Sequence, residues 1–124
     1  MTKKKEKKQP NQAEDEIITP VPREKQTEGY WAILNKVVDP ELDVGIVDLG
    51  LIYGVGIENG IATVTMTLTS MGCPAGPEIM RRVEAEMGTY PDIRDVYVDL
   101  VWEPVWGPDR VNEDIREVLF GGLG

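Results

Sequence analysis

The chain has 124 residues, of which 41% are hydrophobic, and a formal net charge of −9. This length predicts one domain with a modest core. The acidic balance argues against nucleic-acid binding, which relies on basic side chains to neutralise phosphates. Histidine is absent and cysteine occurs once, which excludes Ser-His-Asp and Cys-His catalysis, an internal disulfide and a four-cysteine metal site within one chain.

Residues 1–28 are predicted to form a disordered polar tail ahead of a single domain at residues 29–124. Five lysines lie within the first eight residues, and few apolar residues follow before the domain. The tail carries seven basic and six acidic residues, whereas residues 29–124 carry six basic and sixteen acidic residues, a net charge of −10. The domain is therefore suited to a basic partner surface, and the tail is interpreted as a solubilising or loosely docking segment.

The first predicted helix runs from about Glu28 to Val38 and carries an apolar stripe at helical spacing. It ends ahead of Pro40, because the residue before a proline is pushed out of the helical region. An acidic loop follows, with four carboxylates between Asp39 and Asp48. These carboxylates either cap turns and helices, or take part in metal ligation and hydrogen bonds around a functional site.

Two strands are predicted at Leu49–Ile57 and Ile61–Thr69, because apolar and polar residues alternate in both. Asn59-Gly60 between them is typical of a type I′ hairpin turn. A two-residue turn also places each apolar residue opposite another one. The predicted pairs are Ile57 with Ala62, Val55 with Val64, Tyr53 with Met66 and Leu51 with Leu68. Gly54 and Gly56 then share a face with the threonines.

A second helix is predicted from Pro74 or Pro77 to Met87, and a third strand over Ile93–Trp102. A last helix follows a Pro108-Asp109 cap. Its predicted apolar stripe consists of Val111, Ile115, Val118 and Leu119. The order α-β-β-α-β-α predicts a two-layer α/β fold, in which helices cover the apolar face of a small three-stranded sheet.

The single cysteine, Cys73, lies where the second strand gives way to the second helix. The N-terminus of a helix favours an anion, so a thiolate is expected there, although a lone cysteine is often only a small buried apolar residue. Thr69, Ser70 and Pro74 flank it as supporting residues. A free thiol suits a reducing cytoplasm, and no apolar run approaches the roughly 18 residues that span a bilayer.

Three unusual stretches are expected to meet at one edge of the sheet. Extending the hairpin register brings the acidic loop beside the Cys73 segment. A crossover through the second helix makes the third strand parallel to the second, which places the end of the third strand at the same edge. The candidate residues of the acidic loop are Asp39, Pro40, Glu41 and Asp48. Those of the last stretch are Trp102, Glu103 and Trp106, which either pack internally or contact a partner.

Four stretches, in this order, resemble the SufT/PaaD-type family of metal–sulfur cluster assembly factors. They are Asp39-Pro40-Glu41, Ile46 to Tyr53, the Thr69-to-Pro74 loop and Val101-Trp102-Glu103-Pro104. The resemblance implies an α/β fold shared with the C-terminal domain of NifU-type scaffolds. It also implies a non-enzymatic role in maturing iron–sulfur proteins, with Cys73 as the reactive or ligating thiol.

The leading hypothesis is an accessory factor that assembles or transfers a transient iron–sulfur cluster. Because one cysteine supplies one ligand, Cys73 would share the cluster with a second copy of the chain, a partner protein or small thiols. The expected partners are the iron–sulfur assembly machinery and apo-client proteins. The alternative is a metal-free adaptor that bridges the two. A thiol-dependent redox enzyme is less favoured, because no second cysteine could resolve a sulfenate.

Overall fold

The computed structural model describes residues 18–69, 72 and 74–120. The elements are α1 Gly29–Leu34, β1 Val38–Asp39, β2 Val44–Gly45, β3 Ile52–Glu58, β4 Ile61–Met66, α2 Gly76–Met87, β5 Asp95–Leu100 and α3 Glu113–Phe120. Short 3₁₀ helices span Arg23–Lys25 and Pro108–Arg110. The α/β class and the predicted order of the main elements are confirmed, with the small β1–β2 hairpin as an addition.

The main sheet has the strand order β3-β4-β5. β3 and β4 are antiparallel, whereas β4 and β5 are parallel because the chain crosses back through α2. The core lies on one face of this sheet, where α1 and α2 cover it. Its buried side chains include Trp31, Leu34, Ala62, Val64, Met66, Ile79, Val83 and Met87. The predicted two-layer arrangement is therefore confirmed.

The β3–β4 hairpin has the predicted turn. Asn59 and Gly60 both have positive φ, at 54° and 82°, as a type I′ turn requires. Ile57 pairs with Ala62, and Val55 with Val64, as predicted. The predicted pair of Tyr53 with Met66 is wrong, because the register shifts between Ile52 and Gly54 and Ile52 faces Met66 instead.

The same shift replaces the predicted Leu51–Leu68 pair, since the backbone N–H of Thr67 donates to the carbonyl oxygen of Leu51 at 2.9 Å. Its physical reason is Tyr53, which is buried at the irregularity and donates its hydroxyl hydrogen bond to the carbonyl oxygen of Pro104 at 2.7 Å. A contact 51 residues away along the chain thus accompanies the one-residue shift at the start of β3.

Gly60→Val is expected to destabilise the protein by more than about 1 kcal/mol, because a β-branched residue is strained at positive φ. A side chain at this position would also approach the Arg94 guanidinium and the Asp92 carbonyl oxygen. Urea unfolding of the variant, compared with Thr63→Val on the neighbouring strand, measures the difference. Equal stability of Gly60→Val and the parent would contradict the strain argument.

Two predicted helices differ from those observed. α1 ends at Leu34 rather than Val38, because Val38 pairs with Gly45 in the β1–β2 hairpin. α3 is not capped by Pro108-Asp109, which belong to a 3₁₀ helix; the Asn112 Oδ1 accepts the N–H of Asp114 at 3.0 Å instead. Within the predicted stripe, Val118 is 81% exposed and does not contribute to the core.

The described part of the predicted tail contacts the domain. The N–H of Val21 donates to the carbonyl oxygen of Tyr53 at 2.9 Å. The Arg23 guanidinium donates to the carbonyl oxygens of Arg110 and Val47, at 3.0 and 3.4 Å. Contacts with the domain therefore begin ahead of residue 29, and residues 1–17 lie outside the described part. No helix in the described ranges is long and apolar enough to cross a membrane.

Candidate functional site

The Asp-Pro-Glu segment forms the tight turn of the β1–β2 hairpin. Asp39 is only 2% exposed, and its Oδ1 accepts the backbone N–H groups of Glu41 and Leu42 at 2.8 and 3.3 Å. This is the turn-forming use of an aspartate side chain. Pro40 and Glu41 are exposed at the tip. Of the first two candidate carboxylates, Asp39 shapes the turn and Glu41 is presented to solvent.

Asp48 is held between two asparagines from distant parts of the chain. The Asn35 side-chain amide donates to Asp48 Oδ2 at 3.0 Å, and the Asn112 amide donates to Oδ1 at 3.1 Å. The Asp48 carbonyl oxygen also accepts the N–H of Asn112 at 2.7 Å. Both carboxylate oxygens are thus engaged in joining the end of α1 to the start of α3.

Asn35 also organises the acidic segment through its Oδ1, which accepts the N–H groups of Val47 and Asp48 at 2.9 and 3.0 Å. Gly45 lies against this side chain so closely that any Cβ would collide with it. Neither Asn35 nor Asn112 is among the site residues that the sequence predicts. An asparagine directly after a helix is a recognised termination signal, but no local pattern points to partners 12 and 13 residues away.

The tryptophan segment packs against the end of the acidic segment. The Trp106 indole N–H donates to the carbonyl oxygen of Leu49 at 2.7 Å. Trp102 and Trp106 are half-buried and pack against the core, whereas Glu103 and Val105 are exposed, Val105 by 71%. The Glu103-Pro104 peptide bond is cis. The structure therefore brings two of the three predicted stretches together.

Tyr53 ties this segment to the sheet. Its ring lies under the Arg110 guanidinium, whose carbon is 5.2 Å from the ring centroid, and burial raises the pKa of its phenol. Tyr53→Phe is expected to cost about 1 kcal/mol, because it leaves the carbonyl oxygen of Pro104 without this donor. Tyr97→Phe is the matched control, since Tyr97 is 51% exposed. Thermal unfolding of both variants tests this, and equal losses would contradict it.

The third predicted stretch is only partly described. Cys73, Ser70 and Met71 lie outside the described residues, and with them the expected position of the acidic loop beside the Cys73 segment. Thr69 is half-buried and Pro74 is exposed on either side of this gap. α2 begins at Gly76, between the two prolines considered as its start, and Pro77 occupies its first turn.

Within the described residues, no group of three or more histidine, cysteine, aspartate or glutamate residues could hold a metal ion. The Asp39 and Asp48 carboxylates already accept hydrogen bonds within the fold. Iron–sulfur clusters are held mainly by cysteine thiolates, and the chain has one.

Comparisons with known proteins identify the family of the chain. The model of the family described as iron-sulfur cluster assembly protein matches residues 31–100. The Fe-S protein maturation auxiliary factor SufT of Staphylococcus aureus is 48% identical over 84 residues, which cover 67% of this chain and 96% of that protein. The Fe-S protein maturation auxiliary factor YitW of Bacillus subtilis is 44% identical over 93 residues, covering 74% and 91%.

Among solved structures, the Bacillus anthracis protein described as a domain of unknown function, DUF59, superposes with a TM-score of 0.67 and 40% sequence identity. The match covers 73% of this chain and 87% of that one. The chain therefore belongs to the iron–sulfur cluster assembly protein family. The predicted family and the predicted accessory role in iron–sulfur cluster assembly or transfer are confirmed.

Proposed function

We propose that the chain acts in the cytoplasm, without catalysing a reaction, and that Cys73 holds or hands over iron–sulfur material for apo-client proteins. The observation that carries this proposal is the position of the only thiol. Cys73 follows β4 and precedes α2, and β5, which is parallel to β4, leads into the Trp102–Trp106 segment. Both stretches therefore leave the sheet at the same edge.

At this edge, one copy of the chain would supply only part of the ligands of an iron–sulfur cluster. One thiolate leaves the other ligand positions of a cluster to a second chain, a client or small thiols. Shared ligation suits transfer, because an incoming client can replace the external ligands one at a time. It also makes a homodimer one way to complete the site.

The exposed residues around this edge would form the docking surface. Glu41 lies at the tip of the β1–β2 hairpin, and Glu103 and Val105 are exposed in the tryptophan segment. Leu49 joins the end of the acidic segment to the tryptophan segment, because its carbonyl oxygen accepts the Trp106 indole N–H. A partner with an apolar patch and basic neighbours fits this surface.

Anaerobic reconstitution with iron and sulfide tests the proposal. The parent chain is expected to gain visible absorbance with at least two chains, or added thiols, per cluster, and Cys73→Ser is expected to gain none. Ala75→Ser is the matched control, because it adds a hydroxyl group near α2 and leaves the thiol. Absorbance in Cys73→Ser equal to that of the parent would overturn ligation by Cys73.

A metal-free adaptor is the second candidate, supported by the exposed Glu41, Glu103 and Val105, which a partner can contact without any metal. It predicts that apo-clients and assembly proteins are captured equally well by the parent and by Cys73→Ser in anaerobic pull-downs. Cluster transfer predicts instead that Cys73→Ser loses the cluster-dependent part of this capture. The two outcomes therefore separate the adaptor from the cluster carrier.

A further inference from the structure

The sheet has a second face, opposite to α1 and α2. Cross-strand pairing places two rows of residues on it, Gly54–Thr65–Asp99 and Gly56–Thr63–Tyr97. Thr67 continues the alternation onto the same face, since Leu68 next to it lies against Gly76 of α2 on the opposite side. This set of residues is called the polar face below.

Asp99 is a buried carboxylate without a donor on this face. It is 8% exposed, and no described residue donates a hydrogen bond or pairs a charge with it. Burial raises the pKa of this carboxyl group. The Asp99 oxygens are not among the fully buried atoms without a partner in the described residues, so a cationic donor would replace water at this carboxylate.

Thr67 carries a second unpartnered group on the same face. The residue is 1% exposed, and its hydroxyl oxygen is buried without a hydrogen-bond partner. Buried hydroxyl groups in folded proteins nearly always have a partner. This face thus carries one buried hydroxyl group without a partner, directly after β4, and one mostly buried carboxylate on β5.

The polar face also has room beside these groups. No atom lies within 4 Å of the position that a Cβ would take at Gly54 or Gly56. Tyr97 is 51% exposed and offers an aromatic ring to a cation. The residues of β3, β4 and β5 include no lysine or arginine, whereas Asp95 adds a second carboxylate to β5. The polar face is therefore suited to a narrow cationic group that donates hydrogen bonds.

We propose that the lysine-rich segment Lys3–Lys8 of the same chain docks on the polar face, with a lysine ammonium group against Asp99. Five of its six residues are lysine, while residues 29–124 carry a net charge of −10. The proposal rests on the sheet and on the charges, and it is independent of cluster binding by Cys73.

The path of the chain permits this docking. Val21 hydrogen-bonds to Tyr53, so the chain passes the sheet beside Gly54. Nine residues, 9–17, separate Lys8 from the first described residue, Ile18. They span at most about 30 Å when extended, whereas three strands are only about 10 Å across. The tether therefore reaches Asp99, and a short tether keeps the lysines at a high effective concentration.

The test attaches a spin label to Thr2→Cys in a full-length Cys73→Ser chain and records amide NMR signals. Because a short tether keeps the lysines at a high effective concentration, we expect the signals of Gly54, Gly56 and Thr65 to fall at least about twofold. The signal of Glu84, on α2 behind the sheet, is expected to keep its intensity. Raising the salt to about 1 M, where the Debye length is about 3 Å, should restore the lost signals.

Matched variants identify the charged residues on which the docking depends. Asp99→Asn, and separately glutamine at all five lysines, are expected to restore at least about half of the lost intensity. Glu84→Gln removes the same charge behind the sheet and is expected to restore none. A mixed sample combines isotope-labelled chains that lack the spin label with spin-labelled chains that lack isotopes. Signal loss in this sample arises only from docking between two copies, so it is distinguished from docking within one chain.

Equal broadening on both faces, no broadening, or no response to Asp99→Asn would overturn the proposal. So would broadening that occurs only between chains. A measurement in the native Cys73 background makes the result independent of the serine variant. There, glutamine at the five lysines should change the chemical shifts of the polar face more than those of α2, and unchanged shifts would also overturn the proposal.

Discussion

Cys73→Ser is expected to abolish support of iron–sulfur enzyme activity in cells that lack the wild-type protein. A serine hydroxyl stays protonated near neutral pH and does not replace a thiolate as a soft-metal ligand. The free energy of unfolding should change by less than about 1 kcal/mol, because serine is well tolerated at positions near a helix start. Enzyme activity in the complemented strain and urea unfolding of the purified chain measure the two effects separately.

Ala75→Ser serves as the control for this substitution, since it changes the same short region by one hydroxyl group and leaves Cys73 intact. It should complement fully. Complete complementation by Cys73→Ser would instead make the thiol dispensable and favour the metal-free adaptor. A large loss of stability would show that Cys73 is part of the core, and loss of activity would then say nothing about ligation.

The parts of the fold that could be predicted from sequence depend on local signals. Asn59-Gly60 and the alternation of β4 specify the turn and the first pairs of the hairpin, since each signal lies within a few residues of the structure it determines. The parallel arrangement of β4 and β5 follows from the helical crossover. These features need no knowledge of distant contacts.

The parts that could not be predicted depend on contacts between distant residues. Tyr53 shifts the register because it hydrogen-bonds to Pro104, which no pattern around Tyr53 indicates. The β1–β2 hairpin has strands of two residues each, too short for periodicity to show. The sequence marks Asp39 and Asp48 as candidate site carboxylates, but only their partners show that one forms a turn and the other joins two helices.

The candidate site likewise combines features that the sequence shows with features that depend on contacts between distant residues. The residue types, an isolated thiol, an Asp-Pro-Glu segment and a tryptophan-rich segment, are visible in the sequence. The contact of Trp106 with Leu49 shows that the last two are packed together. The side chains that hold this arrangement in place, Asn35 and Asn112, are polar residues in loops, where asparagine is common for many reasons.

Asn35→Ala is therefore expected to be among the most destabilising polar substitutions in the domain, at about 2–3 kcal/mol. It removes the acceptor of two backbone N–H groups, those of Val47 and Asp48, and the donor to Asp48 Oδ2. Because Asn35 is half-buried, water can replace these bonds only in part. Urea unfolding measures the loss, and Lys36→Ala, at an exposed neighbouring position, is expected to change stability by less than about 0.5 kcal/mol.

Asn35→Asp distinguishes the role of Asn35 as a hydrogen-bond acceptor from its role as a hydrogen-bond donor. An aspartate keeps an oxygen for the N–H groups of Val47 and Asp48 but places a second carboxylate beside that of Asp48. The repulsion between like charges favours protonation of the introduced carboxylate in the folded state, so folding takes up a proton and the variant should regain stability as the pH falls toward the carboxyl range. Unfolding measured between neutral and mildly acidic pH tests this. A loss in Asn35→Asp that does not decrease with pH would show that packing, and not the hydrogen bonds, makes Asn35 important.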